Sequence, residues 1–583
     1  MLVNFLVLLV WLPSLLGWGA SLQTILGRDS DRLPADAKTV NFGVTVIAGF
    51  VPMALLSACL HFFIAIGPGV SVALLGTGYF LSFRERRHLF PTCTYSRIIG
   101  LFIVMALVSL FASKPLTHFD TGLYHIQALK WTTTHPLIRG LANLHERLAF
   151  TSLWTPVSAV LDYPRFGPSD PFSVTSLLLV GFGWATQSAI LDFNESRRDI
   201  ANIFLAGCGC FWMWMVVADN SFVILPSLSS DAPVYVLTLL STYLLLRFCA
   251  RGFHVDLFQA LALSALALTT KVSAAPLLLF LVCFVFINRL SGEKRTLPSV
   301  SVYIIVGIIV SLLVGLWVAR SVCLSGYLVF PLTFTALPFL PWHLPVPMAE
   351  QLIVTLKAWA RWPGVPPQIV LSSSFWLRPW FLRLFDDDMI YTIFAYALTG
   401  LGLAYVGRKR IREPLGHSAA AGVMLVLGST YWFLTAPDPR YGYGYLFAAA
   451  CLLLATGLAS FEQEKAGLMT ALLALTTLAP LITATDFSHF HWQAPCPVQR
   501  GQSLLVRTTQ GFPIFVTVGD QCILDGPLPS TPYFRPTLMA KINAQGRLVE
   551  FDLRKPVKVP YYGPVAFAPP HTGSGLGAVT RGR

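Results

Sequence analysis

Charge is what this chain has least of. Only 12% of its 583 residues are Asp, Glu, Lys or Arg, about half the share of an ordinary soluble domain. A surface so poor in charge is tolerated only where much of it faces lipid, so a water-soluble enzyme of this length is excluded. Acids are scarcer than bases, 28 against 41, for a net charge of +13. Cysteine occurs ten times, but never as a Cys-x-x-Cys pair with zinc spacing, and mostly inside apolar runs where it behaves as a small hydrophobe. No repeat of fixed period is present. The opening run MLVNFLVLLVWLPSLLGWGA lacks the positively charged start of a cleaved signal peptide, so it reads as a retained first helix.

What the chain has instead is apolar length. Hydrophobic residues make up 55% of it. Segments 1–18, 42–62, 65–83, 97–113, 172–191, 200–218, 231–247, 255–270, 272–287, 299–320, 389–406, 418–434, 443–459 and 467–484 each approach the roughly 20 residues needed to cross a bilayer. The expectation is an all-α polytopic membrane protein with about 14 transmembrane helices. The runs 42–83 and 255–287 are divided at GPG and at Lys271. The short links RERRH (84–88), ESRRD (195–199), RFCARGF (247–253), NRLSGEKR (288–295) and GRKRIRE (407–413) are basic and fall on one side, which the positive-inside rule makes cytoplasmic. The net charge is thereby explained by topology, and no nucleic acid is implied.

This division gives N-terminal membrane helices (1–113), a first large outer loop (114–171), central membrane helices (172–320), a second large outer loop (321–388), C-terminal membrane helices (389–484) and an outer tail (485–583). Segments 121–131, 141–151 and 348–361 have helix-like apolar spacing and read as interfacial helices. In the tail, SLLVRTTQ, FPIFVTVG and GRLVEFDLRK alternate like strands between Gly and Pro. They predict a small β-rich extracytoplasmic module, with a Cys496–Cys522 disulfide permitted by an oxidising compartment and a disordered end.

Chemistry concentrates at the outer rim. THFDTGLYHIQALKW (117–131) places Asp120 beside a membrane run. Asp120 is a candidate N-cap and also a candidate general base, with His118 beside it and Tyr124 and His125 as substrate contacts. A helix starting there puts Asp120, Tyr124 and Gln127 on one face. Sparse acids at a membrane edge are functional suspects. In GLANLHERLAF (140–150), Asn143 and Arg147 at i, i+4 point one way on a helix, beside His145, as a polar wall for a sugar or phosphate. The histidines 118, 125, 135 and 145 match no zinc signature, so no metal is expected. Lys271, Arg320 and Arg440 stand at outer helix ends, where positive-inside bias does not account for them; they are candidates for holding a phosphate. Asp231 opens a membrane helix on the same side, as an N-cap or a second polar contact.

Many membrane helices, an acid at the start of the first outer loop, interfacial helices in that loop and an outer C-terminal module resemble in architecture the GT-C superfamily of membrane glycosyltransferases. HFDTGLYHIQALKW, GLANLHERLAF, RSVCLSGYLVFP and WFLTAPDPRYG are similar more closely to a group of large bacterial polytopic membrane proteins. The resemblance implies a polyprenyl-phosphate-linked sugar as donor and a glycan, lipid or protein acceptor. It further implies an outer-loop acid, matched by Asp120, that deprotonates the acceptor, and basic residues that stabilise the departing lipid phosphate. It implies no cofactor beyond the donor. The location expected is the bacterial inner membrane, with the site on its periplasmic face. The superfamily pattern has two adjacent acids, whereas Asp120 stands alone. The alternatives are a surface-polysaccharide polymerase or ligase, which the large 321–388 loop favours, and a lipid-linked sugar transporter, which would show repeats and charges at mid-membrane.

Overall fold

The computed structural model describes residues 1–27, 41–89, 94–114, 116–163, 173–194, 200–218, 224–290, 299–407, 414–460, 503–518 and 521–553. Segment 467–484, Cys496 and the C-terminal end all lie outside the described residues, and with them the expected Cys496–Cys522 pairing.

The protein is mostly helical. Ten helices among the described residues are long and apolar enough to cross a membrane, and Tyr95–Phe111 and His254–Thr270 are shorter apolar helices beside them. Burial sorts the ten. Asp231–Arg251 is 94% buried along its apolar window and forms the centre. Val272–Leu290, Val300–Ser325, Asp388–Gly407 and Ser418–Thr435 are only 22–33% buried and turn Leu279, Ile304, Leu398 and Val426 outward. Apolar surface on that scale belongs against lipid, as in an integral membrane protein.

The breaks fall where the sequence interrupts itself. Lys271 is extended (φ −155°, ψ 133°), ending His254–Thr270 before a short 3-10 turn leads into Ala275–Leu290. GPG separates Phe50–His61 from Pro68–Arg84, with Pro68 at the first helical turn, where its missing N–H costs no helical bond. Gly326 ends Val300–Ser325 in the left-handed conformation (φ 78°) and donates to Val322 O, a helix stop suited to a residue without Cβ.

β1 (Ser503–Arg507), β2 (Pro513–Thr517) and β5 (Leu548–Leu553) form within the three alternating stretches, and β3 (Ser530–Thr531) and β4 (Leu538–Ile542) add to them from outside those stretches. β1 and β2 are antiparallel, β3 joins β2 in parallel, and β4 pairs antiparallel with β5. This module sits on the segment 116–163. Arg139 N–H donates to Val549 O (3.2 Å), Phe551 N–H to Arg139 O (2.9 Å) and Leu524 N–H to Gly122 O (2.8 Å). Trp131, Leu141, Leu148, Leu324, Ile514, Leu538 and Phe551 share an apolar core separate from that of the bundle.

Two local expectations change. Asp120 makes no capping bond; a π-helical turn, Thr121–His125, follows it and runs into Ile126–Thr134. Gln127 therefore turns to the module and donates to Leu524 O and Gly526 O (3.1 and 3.0 Å). Segment 141–151 is not one helix but two 3-10 turns, Leu141–Asn143 and Glu146–Ala149. The carbonyls that a helix would use are taken by the module. Ala142 O and Asn143 O accept from Arg535, and Leu144 O accepts from Thr531. By contrast, the helix expected over 348–361 forms as Val346–Arg361.

Candidate functional site

Five charged side chains from five chain segments meet at the end of the bundle that carries the long segments. Asp120, ahead of the π-turn, accepts from Arg147 Nη1 (3.3 Å) and Arg440 Nη2 (3.2 Å), one guanidinium on each carboxylate oxygen. Arg147 is delivered by the second 3-10 turn. Arg440 comes from PDPR, in which Asp438 caps the helix Pro439–Leu458 by accepting from Arg440 N–H and Pro439 takes the first turn, an efficient helix start. Asp231, first residue of its helix, pairs with Arg440 Nε (3.4 Å) and with Lys271 Nζ. Lys271 reaches it because the break at 271 frees the chain from helical geometry. Arg440 thus bridges both acids. Three cations face these two carboxylates, and the neighbouring Asp438 is matched by Arg383 (3.5 Å), so among the described residues the group carries one net positive charge.

Aromatic and imidazole groups line this network. Tyr441 OH accepts from Arg440 Nη2 (3.1 Å), and Lys271 Nζ lies 4.0 Å from the Tyr441 ring centroid, a cation–π distance. Thr121 N–H donates to His118 Nδ1 (3.1 Å), which puts the His118 proton on Nε2. The Thr121 hydroxyl accepts from Leu228 N–H and lies 3.0 Å from His118 Nδ1 and 3.2 Å from His125 Nδ1. His118 Nε2 is buried with no partner, so it stands as an unused donor in a positive site. Tyr124 packs edge-on to the His125 ring, 4.2 Å between centroids.

The electrostatics follow from burial and these partners. Burial lowers the His118 pKa to about 4, with Asp120 partly opposing the shift. Burial and then His118 lower His125 to about 3. Both imidazoles are neutral at pH 7. For Asp120, burial favours the neutral acid, but Arg440 and then Arg147 outweigh it and hold the carboxyl well below the usual carboxylate range. Burial opposes the charge of Arg147 as well, yet Asp120 restores it and raises its pKa. Burial, reinforced by Asp120, pushes the Tyr124 phenol well above its ordinary value.

Of the residues picked from the sequence, Asp120, His118, Tyr124, His125, Arg147, Asp231, Lys271 and Arg440 are brought together. Three are not. Asn143 points away from Arg147 and donates to Trp342 O (2.8 Å) and Phe551 O (3.2 Å), because the 3-10 turns break the i, i+4 register. His145 is fully buried against Tyr533 under the module, 5.8 Å between ring centroids. Arg320 donates to His61 Nδ1 (2.6 Å), and no hydrogen bond or ion pair joins it to the cluster. Thr121 and Tyr441 were missed. The signal for Tyr441 was its place beside Arg440 in DPRYG; Thr121 has none, since its role depends on the backbone of Leu228. Among the described residues no three His, Cys, Asp or Glu side chains are grouped to hold a metal ion.

Residues 1–447 match the family described as Domain of unknown function (DUF8201). The chain belongs to this family. Every member of the charged network lies within the matched residues, and the strand module lies beyond them. No curated protein and no solved structure matches the chain.

Proposed function

We propose that the chain is a membrane glycosyltransferase of GT-C type. It transfers a sugar from a polyprenyl-phosphate donor to an acceptor on the outer face of a bacterial inner membrane. The observation that carries this reading is the Asp120–Arg440–Asp231–Lys271 network, with Arg147 on Asp120 and one positive charge in excess. A phosphate group supplies the missing negative charge, and arginine with lysine suits its oxygens. Asp231–Arg251 starts in the network and runs to the basic link 247–253, and the positive-inside rule supports an outer position for the network. In this reading the described helices and 467–484 make up about 14 spans.

Arg440 and Lys271 hold the donor phosphate. The acceptor hydroxyl oxygen attacks the anomeric carbon, and its proton passes to Asp120. The bond from that carbon to the phosphate oxygen breaks with its electron pair on the phosphate, where the two cations take up the charge. Clamped by two guanidiniums, Asp120 is a weak base at rest. A donor phosphate that draws Arg440 away leaves Arg147 as its one cation and raises its basicity, so the base is armed only when donor is bound. His118 Nε2–H is a further donor to an oxygen in the site.

A strain lacking the chain and complemented with wild type or Asp120→Asn tests this reading. The expected result is normal amounts of folded D120N protein in the membrane and a surface glycan missing one residue. Normal glycans with D120N would overturn the assignment of Asp120, and a collapsed chain-length ladder would make the enzyme a polymerase instead.

A further inference from the structure

A second basic site lies where the network does not reach. Arg320, near the end of Val300–Ser325, is only 5% exposed. Among the described residues its guanidinium forms no ion pair with a carboxylate. Its partner is the neutral acceptor His61 Nδ1 at 2.6 Å, and the other His61 nitrogen lies 3.1 Å from His135 O. Nδ1 must accept from an arginine that is always charged, so the His61 proton sits on Nε2 and is donated to that carbonyl. The imidazole therefore carries no charge to balance or to add. Arg320 Nε–H has no acceptor.

Arg320 and His61 line a cavity with Trp131, Thr132, Leu137 and Leu324. No acid lines it. The indole Nε1–H of Trp131 is also buried without an acceptor. Arg320 and Trp131, which can only donate and each carry one buried donor without an acceptor among the described residues, thus both line this cavity beside an unbalanced charge. A buried cation without a counter-charge is strongly unfavourable, and a buried donor left unpaired adds to the cost. The enclosed part of the cavity has room for about one water-sized atom, and the rest opens outward. His61 ends a span beside Phe63 and Ile64, which are 75% and 45% exposed; the opening is therefore at the rim of the bundle.

We infer that Arg320, Trp131 and His61 form an oxyanion site for a phosphate group. One phosphate oxygen enters the cavity and accepts from Arg320 Nε–H and Trp131 Nε1–H, while the rest of the group remains at the opening. His61 holds the guanidinium in place through its fixed tautomer. The phosphate belongs to a lipid headgroup or to free phosphate. The site is separate from the Asp120 network and does not depend on the transferase reading.

Full-length protein in phosphate-free detergent, titrated with inorganic phosphate or with phosphatidylglycerol, tests the site. Binding is read by native mass spectrometry and by the unfolding midpoint. Wild type is expected to bind at least one of the two and to gain in midpoint. A response to phosphatidylglycerol alone assigns the headgroup; a response to inorganic phosphate assigns the free ion. Arg320→Met is expected to weaken that binding about ten-fold or more. Trp131→Phe keeps an aromatic ring but removes the donor and the pyrrole half of the indole, so it is expected to weaken binding by about three- to ten-fold even if R320M does not fold. Phosphate also reaches the Arg440 network, so the difference between wild type and variants is decisive. No response in wild type, or W131F binding as tightly as wild type, overturns the inference.

Discussion

Arg440, half-buried, and Arg320, buried, are both arginines at helix ends on the same end of the bundle, and they differ in what faces them. Arg440 touches two carboxylates, one of which is shared with Arg147 and the other with Lys271. Arg320 has a neutral histidine and an Nε–H without an acceptor among the described residues. The first arrangement is balanced to within one charge and is held shut by its own ion pairs; an anion enters it only by displacing them. The second is unbalanced and needs an anion from outside. A basic residue at a membrane rim thus does not have one meaning. The number of acids around it separates a centre built to exchange partners from one built to keep a ligand.

The sharpest way to break the comparison is at Asp120. Replacing it with Asn removes the base and two ion pairs but leaves the shape, so transfer is expected to fall by about 10²–10⁴-fold with the unfolding midpoint lowered and the fold retained. A midpoint collapse without ligand would make the network a structural brace. Next is the pair Arg440→Met and Arg320→Met. The first leaves Asp120 with Arg147 and Asp231 with Lys271 and is expected to cost about 1.5–3 kcal/mol, the scale of lost hydrogen bonds to charged groups. The second removes an unbalanced charge and is expected to leave ligand-free stability unchanged or raised. Equal destabilisation in the two variants, by thermal unfolding in phosphate-free detergent, would erase the distinction.

A smaller effect separates the histidines of the network from its charges. His118 and His125 have folded pKa values of about 4 and about 3, below the unfolded value of about 6.5. The unfolded chain binds more protons below that value, so these residues destabilise the fold as pH falls from 6.5 toward 4 and then 3, and are without effect above it. The midpoint of wild type should drop over that window, and His118→Gln with His125→Gln should flatten the slope. An unchanged slope would place the rings in water. The smallest effect expected is from Glu146→Gln. It loosens Arg535 and the module while Asp120 keeps both arginines, and transfer should change by about three-fold or less, a step of under 1 kcal/mol.

The same contrast explains what the sequence made legible. Apolar runs, the break at Lys271, GPG and the strand alternation are local signals, and helices and strands formed on them. The acids were so few that Asp120 and Asp231 stood out, and outer-rim position singled out Lys271 and Arg440. What stayed hidden depended on distant chain. The turns around Asn143 arise because Arg535 and Thr531 take the carbonyls of 142–144, and no periodicity within 141–151 records that. Outer-rim position groups Arg320 with Lys271 and Arg440, whereas its partner His61 lies 259 residues earlier, in an apolar run with no mark of its own. The π-turn moved Gln127 off the Asp120 face, and helical spacing alone does not foresee a π-turn.

The central claim is that a donor phosphate takes Arg440 from Asp120. A density map of the full-length protein with polyprenyl phosphate tests it most directly. The phosphate is expected between Arg440 and Lys271, with the Arg440–Asp120 contact of 3.2 Å opened and Asp120 still held by Arg147. An intact Asp120–Arg440–Asp231 network, with the phosphate bound elsewhere, would contradict the account.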